Sequence, residues 1–197
     1  MSSLRALHAN LQHYKEDKWG LLVYRTAYTP ASDSAWERFK TVLAAQTADE
    51  LASPEATADV IRACDWTCIS DAATLDGASR QQLRDRFRVW RESAAKAENP
   101  RRTIGNEPLA QRYQYFVQVD EESLRSVVEG GEEGWVHLVR AYERLDYEND
   151  GGQGDDEDDG WMMIKMGMLH SEFYQAIGVT SEHWYSFYQA PPSVVDW

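Results

Sequence analysis

The ten residues WGLLVYRTAY (residues 19–28) carry apolar side chains on both alternating sets, with a single charged residue, Arg25, among them. A strand with one wet face alternates apolar with polar, whereas an unbroken apolar run of this length is expected of a strand covered on both faces. The segment is therefore taken as a central strand of a sheet, and helices are expected on either side of it.

The flanking sequence supplies them. Upstream, Leu4, Leu7, Leu11 and Tyr14 recur at three- and four-residue spacing, as on an amphipathic helix that ends near the charged run Lys15-Glu16-Asp17-Lys18. Downstream, Ser34-x-x-Glu37 has the form of a capping box, with Trp36, Phe39 and Leu43 behind it, which predicts a helix of about three turns. A second short helix is expected at residues 57–61, a short strand at 65–69 and a turn at Leu75-Asp76-Gly77. Ser79-x-x-Gln82 repeats the capping box before Leu83, Phe87 and Trp90. Arginines 80, 84, 86, 88 and 91 of that helix are expected mostly to face water.

Residues 96–108 are polar, hold two prolines and show no hydrophobic period, so they are read as a loop. RYQYFVQV (residues 112–119) alternates as a strand, and Asp120 can cap a helix carrying Leu124, Val127 and Val128. Strands are expected at WVHLV (135–139) and WMMIKM (161–166), then a helix with Leu169, Phe173, Tyr174 and Ile177. The recurring order is strand then helix, with some strands joined only by loops. This predicts one α+β domain, α/β-like, over residues 1–197: a mixed sheet of about five to six strands with helices packed on its faces.

Composition agrees with one self-sufficient core. Of 197 residues, 43% are hydrophobic, and eight Trp, ten Tyr and five Phe supply large buried areas without covalent staples. The two cysteines, Cys64 and Cys68, would lie about 13 Å apart along a strand, too far for a bridge. No apolar run has signal-peptide length or approaches the roughly 20 residues of a membrane span, so a cytoplasmic protein of a reducing compartment is expected. Net charge is −13, which disfavours nucleic acid and anionic membranes as partners and leaves a small molecule or a protein.

Eight of those negative charges fall between Asp146 and Asp159, in LDYENDGGQGDDEDDGW (145–161). With Asp146 at position 1 of a calcium loop, Glu148, Asp150, Gly151 and Glu157 take positions 3, 5, 6 and 12. Against calcium stand a Glu at position 3, Gln153 where an apolar residue belongs, the lack of a second loop, and flanks that read as strands. Residues 146–160 are therefore taken as an acidic flexible insert, with calcium binding at 146–157 as an alternative.

No dinucleotide, Walker, zincin or nucleophile-elbow motif occurs, and His170-x-Glu172 lacks the Pro-Cys-x-x-Cys that a zinc deaminase needs. No metal ligand set and no cofactor is assigned. Arg25 interrupts the apolar strand, and a buried guanidinium requires a carboxylate or a ligand. Asp65, expected beside it in the sheet, is one candidate partner. Arg25, Tyr28, Asp65 and Arg112 are the polar groups expected to bind a ligand, at strand edges where α/β sites often lie. The alternative is a small enzyme, of specialised metabolism, with Asp65 or His170 as general acid/base and Arg25 holding an anionic group.

Trp19-Gly20, Tyr24-Arg25-Thr26-x-Tyr28, Asp65-Trp66, Leu75-Asp76-Gly77-Ala78-Ser79, Phe87, Trp90, Arg112-Tyr113, Phe116 and the run from Tyr188 to Pro192 together resemble a family of uncharacterised proteins of filamentous ascomycete fungi. The resemblance covers residues 18–192. It implies a cytosolic fungal protein with one compact α/β-type domain, and it carries no catalytic residue across.

Overall fold

Residues 22–25 form a strand whose four side chains are all buried, in a computed structural model that describes residues 2–101, 110–141 and 160–197. The acidic stretch 146–159, with its calcium alternative, lies outside the described residues, as do residues 102–108 of the expected loop. Among the described residues the order is α1 (Ser3–Tyr14), β1 (Leu22–Arg25), α2 (Pro30–Leu51), α3 (Ala58–Ala63), β2 (Thr67–Ile69), α4 (Ala72–Leu75) and α5 (Arg80–Glu98). Then follow β3 (Tyr115–Val119), α6 (Glu121–Gly130), β4 (Trp135–Arg140), β5 (Trp161–Lys165), α7 (Ser171–Ala176), α8 (Ser181–Phe187) and β6 (Val194–Val195).

The six strands make one mixed sheet in the order β2-β1-β3-β4-β5-β6. β1 is parallel to β2 and β3, β4 is antiparallel to both its neighbours, and β6 is parallel to β5. The 19–28 segment is thus an interior strand, one place in from the edge.

Side chains alternate across a strand, and here the two sets enter two cores. Val23, Val117, Leu138 and Ile164 face a large core with α1, α2, α6 and α7, built around Phe39, Leu124 and Phe173. Leu22, Tyr24, Phe116 and Val139 face a smaller core closed by Leu75 of α4 and by Leu83 and Phe87 of α5. Burial on both sides is the physical reason that 19–28 shows no polar alternation.

Three expectations are corrected. The helix predicted from Ser34 begins at Pro30 with Thr29 as N-cap and runs 22 residues, because proline at the first position starts a helix at no cost in hydrogen bonds. Ser34 Oγ instead donates to the Ala31 carbonyl inside it. α5 continues through Lys96 to Glu98, three residues into the expected loop, and stops before Pro100. Of its arginines only Arg86 is exposed: Arg84 is buried against the sheet, Nε donating to the Arg140 carbonyl at 3.1 Å and Nη2 to the Gly160 carbonyl at 3.3 Å.

Candidate functional site

The four residues singled out in the sequence fall into two separate pairs. Arg25 ends β1 and is buried. Its Nε donates to the Ala27 carbonyl at 2.8 Å, while Nη2 donates to Ser32 Oγ at 2.9 Å and to the Asp33 carboxylate in the first turn of α2. Tyr28 stacks on the guanidinium, 4.4 Å from its ring centroid, and its hydroxyl donates to the Arg25 carbonyl and accepts the Asp71 N–H. The partner of Arg25 is therefore Asp33, not Asp65, because the chain turns straight from β1 into α2.

Asp65 and Arg112 meet at the other end of the parallel strands. Thr67 registers with Leu22 in parallel, which puts Asp65 level with Gly20, five residues before Arg25, so the two sites are separated by about 16 Å of strand. Gly20 makes the approach possible: at φ +99° it lies so close that a Cβ would sit 2.7 Å from the Asp65 carbonyl oxygen. Arg112, 1% exposed, forks onto Glu98 through Nε (2.8 Å) and Nη2 (3.1 Å), and Nη2 also reaches Asp65 Oδ2 at 3.1 Å. Its Nη1 donates to the Asp65 and Gly20 carbonyls. Lys18 bridges the same two carboxylates.

Burial opposes ionisation of Asp65 and Glu98, but hydrogen bonds from Lys18 and Thr67 to the first, and from Arg112 and Tyr113 to the second, hold both below the ordinary carboxylate range. Every hydrogen-bonding nitrogen of Arg112 is used within the chain. This is a closed ion network that ties the end of α5 to the starts of β1, β2 and β3. His170, the other acid/base candidate, is the N-cap of α7, with Nδ1 accepting from the Glu172 and Phe173 N–H groups. Asp65, His170 and Arg25 therefore do not form one catalytic constellation.

A concave site lies elsewhere. A cavity of about 420 Å³ opens between α1 and α7, floored by Leu7, Leu11 and Tyr174. Asn10, His13, Tyr14 and Glu16 line it from α1 and its end, Gln111 from the segment before β3, and Gln175 and His183 from α7 and α8. Lys15 at φ 56° closes α1, its successor Glu16 donating N–H to the Leu11 carbonyl, which turns the chain along the rim. At the far rim Gly178 has φ +54°, and any Cβ there would fall 2.3 Å from the His183 ring. The Tyr174 hydroxyl accepts the Arg112 N–H at 3.3 Å; burial, reinforced by Glu16, raises its pKa and keeps it a phenol. A second, more open depression of about 510 Å³ lies between β1, β2 and α5, beside Tyr24, Asp71, Arg86 and Trp90. Burial pushes the Tyr24 hydroxyl up to about 12.

No family model, curated protein or solved structure matches this chain. Among the described residues no three His, Cys, Asp or Glu side chains converge as a metal site, and no helix is long and apolar enough to cross a membrane. Cys64 and Cys68 are free thiols. Sequence reading put Leu7, Leu11 and Tyr174 at the apolar positions of two helices and missed the cleft they floor. The signal available was the His13-Tyr14-Lys15-Glu16 run, which sets polar and aromatic groups at the end of an otherwise core-facing helix.

Proposed function

We propose that the chain is a small-molecule-binding α+β domain whose ligand occupies the cleft between α1 and α7. The supporting observation is the cleft itself: an apolar floor beneath amide, imidazole and carboxylate groups, within the 300–1,000 Å³ typical of ligand sites. Arg25 and Arg112, the strongest candidate anion holders, are engaged with Asp33 and with Glu98 and Asp65. Glu16 in the wall and the net charge of −13 favour a ligand that is uncharged or cationic, with an apolar body to cover Leu7 and Leu11.

An amide-resolved NMR screen with aromatic amines, aromatic amides and aryl carboxylates tests this. Amines and amides are expected to shift resonances of α1 and α7, and Asn10→Trp, at an exposed position on the rim, is expected to abolish those shifts. Hits confined to the depression beside Tyr24 and Trp90, or no response at about 1 mM, where binding is worth only about 4 kcal/mol, would refute the reading.

A further inference from the structure

Neither the ion network nor the cleft uses a third buried cluster, on the face of the sheet opposite the cleft. His137 of β4 is 5% exposed and sits between two indoles, Trp135 at 5.2 Å and Trp161 at 5.0 Å between ring centroids. Both its ring nitrogens are committed. Nε2 lies 3.0 Å from Asp120 Oδ2, and Nδ1 lies 3.2 Å from Nη2 of Arg80, the first residue of α5.

An arginine side chain has only donors, so Nδ1 must accept from it and must carry no proton; the ring proton then sits on Nε2 and is donated to Asp120. Asp120 is fixed by a second duty as N-cap of α6, accepting from the Ser123 N–H and hydroxyl at 2.9 Å each. Arg80 in turn lies over Trp161, its guanidinium carbon 3.5 Å from the ring centroid. The charged groups facing the ring among the described residues are thus Arg80 from α5 and Asp120 from the turn between β3 and α6. Trp161 of β5 and Gln118, the cross-strand partner on β3, are neutral.

We propose that His137 is a proton-operated latch: neutral, it holds Arg80 and the first turn of α5 against β4 and β5, and on protonation it lets Arg80 go. A proton on Nδ1 would point directly at a guanidinium N–H, so a hydrogen bond is lost and two like charges are left 3.2 Å apart. The Asp120 carboxylate at the other nitrogen stabilises the imidazolium, so the contact that yields is the one to Arg80. Its release uncovers the Trp161 ring and loosens the start of the helix that closes the smaller core.

Histidine-selective ¹⁵N NMR, followed from about pH 8 to about pH 5 to bracket the ordinary histidine range, tests the latch. At the upper limit the Nε2–H tautomer is expected. On acidification the His137 ring, the Arg80 Nε–H and the Trp161 indole N–H should shift along one common titration curve. His137→Gln keeps a donor for Asp120 and an acceptor for Arg80 but cannot titrate, and there the Arg80 and Trp161 shifts should vanish. An Nδ1–H tautomer at pH 8, a ring that does not titrate in this range, or a titrating ring with static Arg80 and Trp161 signals would each overturn the proposal. Should the Gln variant not fold, the wild-type titration alone still decides among these outcomes.

Discussion

Arg112 shows how a charge is kept inside this molecule. Its guanidinium is 1% exposed, and desolvation of an ion is expensive unless geometry and hydrogen bonds compensate it. The compensation comes from the two-pronged contact with Glu98, from Asp65 and from two backbone carbonyls; the Glu98 carboxylate is further held by the Tyr113 hydroxyl at 2.8 Å. Glu98, Asp65 and Asp120 all titrate below their ordinary range: in each, hydrogen bonds from neighbouring donors outweigh burial. A carboxylate whose pKa is depressed by folding contributes stability that is complete above its unfolded pKa and is lost as pH falls through the folded value. These carboxylates should therefore leave the urea midpoint unchanged between about pH 7 and pH 5 and lower it below about pH 4. Glu98→Gln removes one partner of a buried pair, which should cost about 3 kcal/mol at pH 7 and flatten the acid limb. Equal acid limbs in the two proteins would show that Glu98 is not part of the pH dependence.

Two segments with the same capping-box sequence behave differently, and the difference is physical. Ser79 is an N-cap: its hydroxyl accepts the Gln82 N–H and the Gln82 side chain accepts the Ser79 N–H. Ser34 lies inside α2 because Pro30 offers an earlier start with its φ already helical. Ser79→Ala should lower stability by about 1 kcal/mol, whereas Ser34→Ala should change it by less than about 0.5 kcal/mol, both read from urea midpoints. Equal losses would mean that the first turn of α2 depends on Ser34 after all. The same contrast marks how far the sequence was legible. Long segments with a strong period, such as 4–14 and 80–90, declared helix, and short apolar runs, alternating at 112–119 and unbroken at 19–28, declared the strands found at 22–25, 115–119, 135–140 and 161–165. Val194–Val195 did not, since a two-residue strand has no period and is defined only by pairing with Met163 and Ile164. The reach of α5 to Glu98 was equally hidden, because its last turn is fixed by Arg112, fourteen residues further on.

At the scale of the whole molecule, the sequence showed that Arg25 and Arg112 needed partners but not which ones. Strand order decides that, and the alternation of a few residues cannot encode it. The cleft was less legible still, for its walls come from α1 and α7, more than 150 residues apart, and each wall taken alone is an ordinary core-facing helix. What joins these distant parts is the sheet, which places Val23 in one core and its neighbours Leu22 and Tyr24 in the other. Neither core can be lost while the other keeps its full set of contacts, because the same backbone carries both. Phe39 is fully buried in the larger core and Phe87 in the smaller, where it packs 5.3 Å from Phe116 and 5.3 Å from Trp90. Phe39→Ala and Phe87→Ala should each cost about 3–5 kcal/mol through lost burial and the cavity left behind. In both variants the urea transitions followed by near-ultraviolet and far-ultraviolet circular dichroism should coincide. A Phe87→Ala protein that lost near-ultraviolet signal first, while α1, α2 and α7 kept their helicity, would show instead that the α5 layer can detach from a sheet still held by its other face.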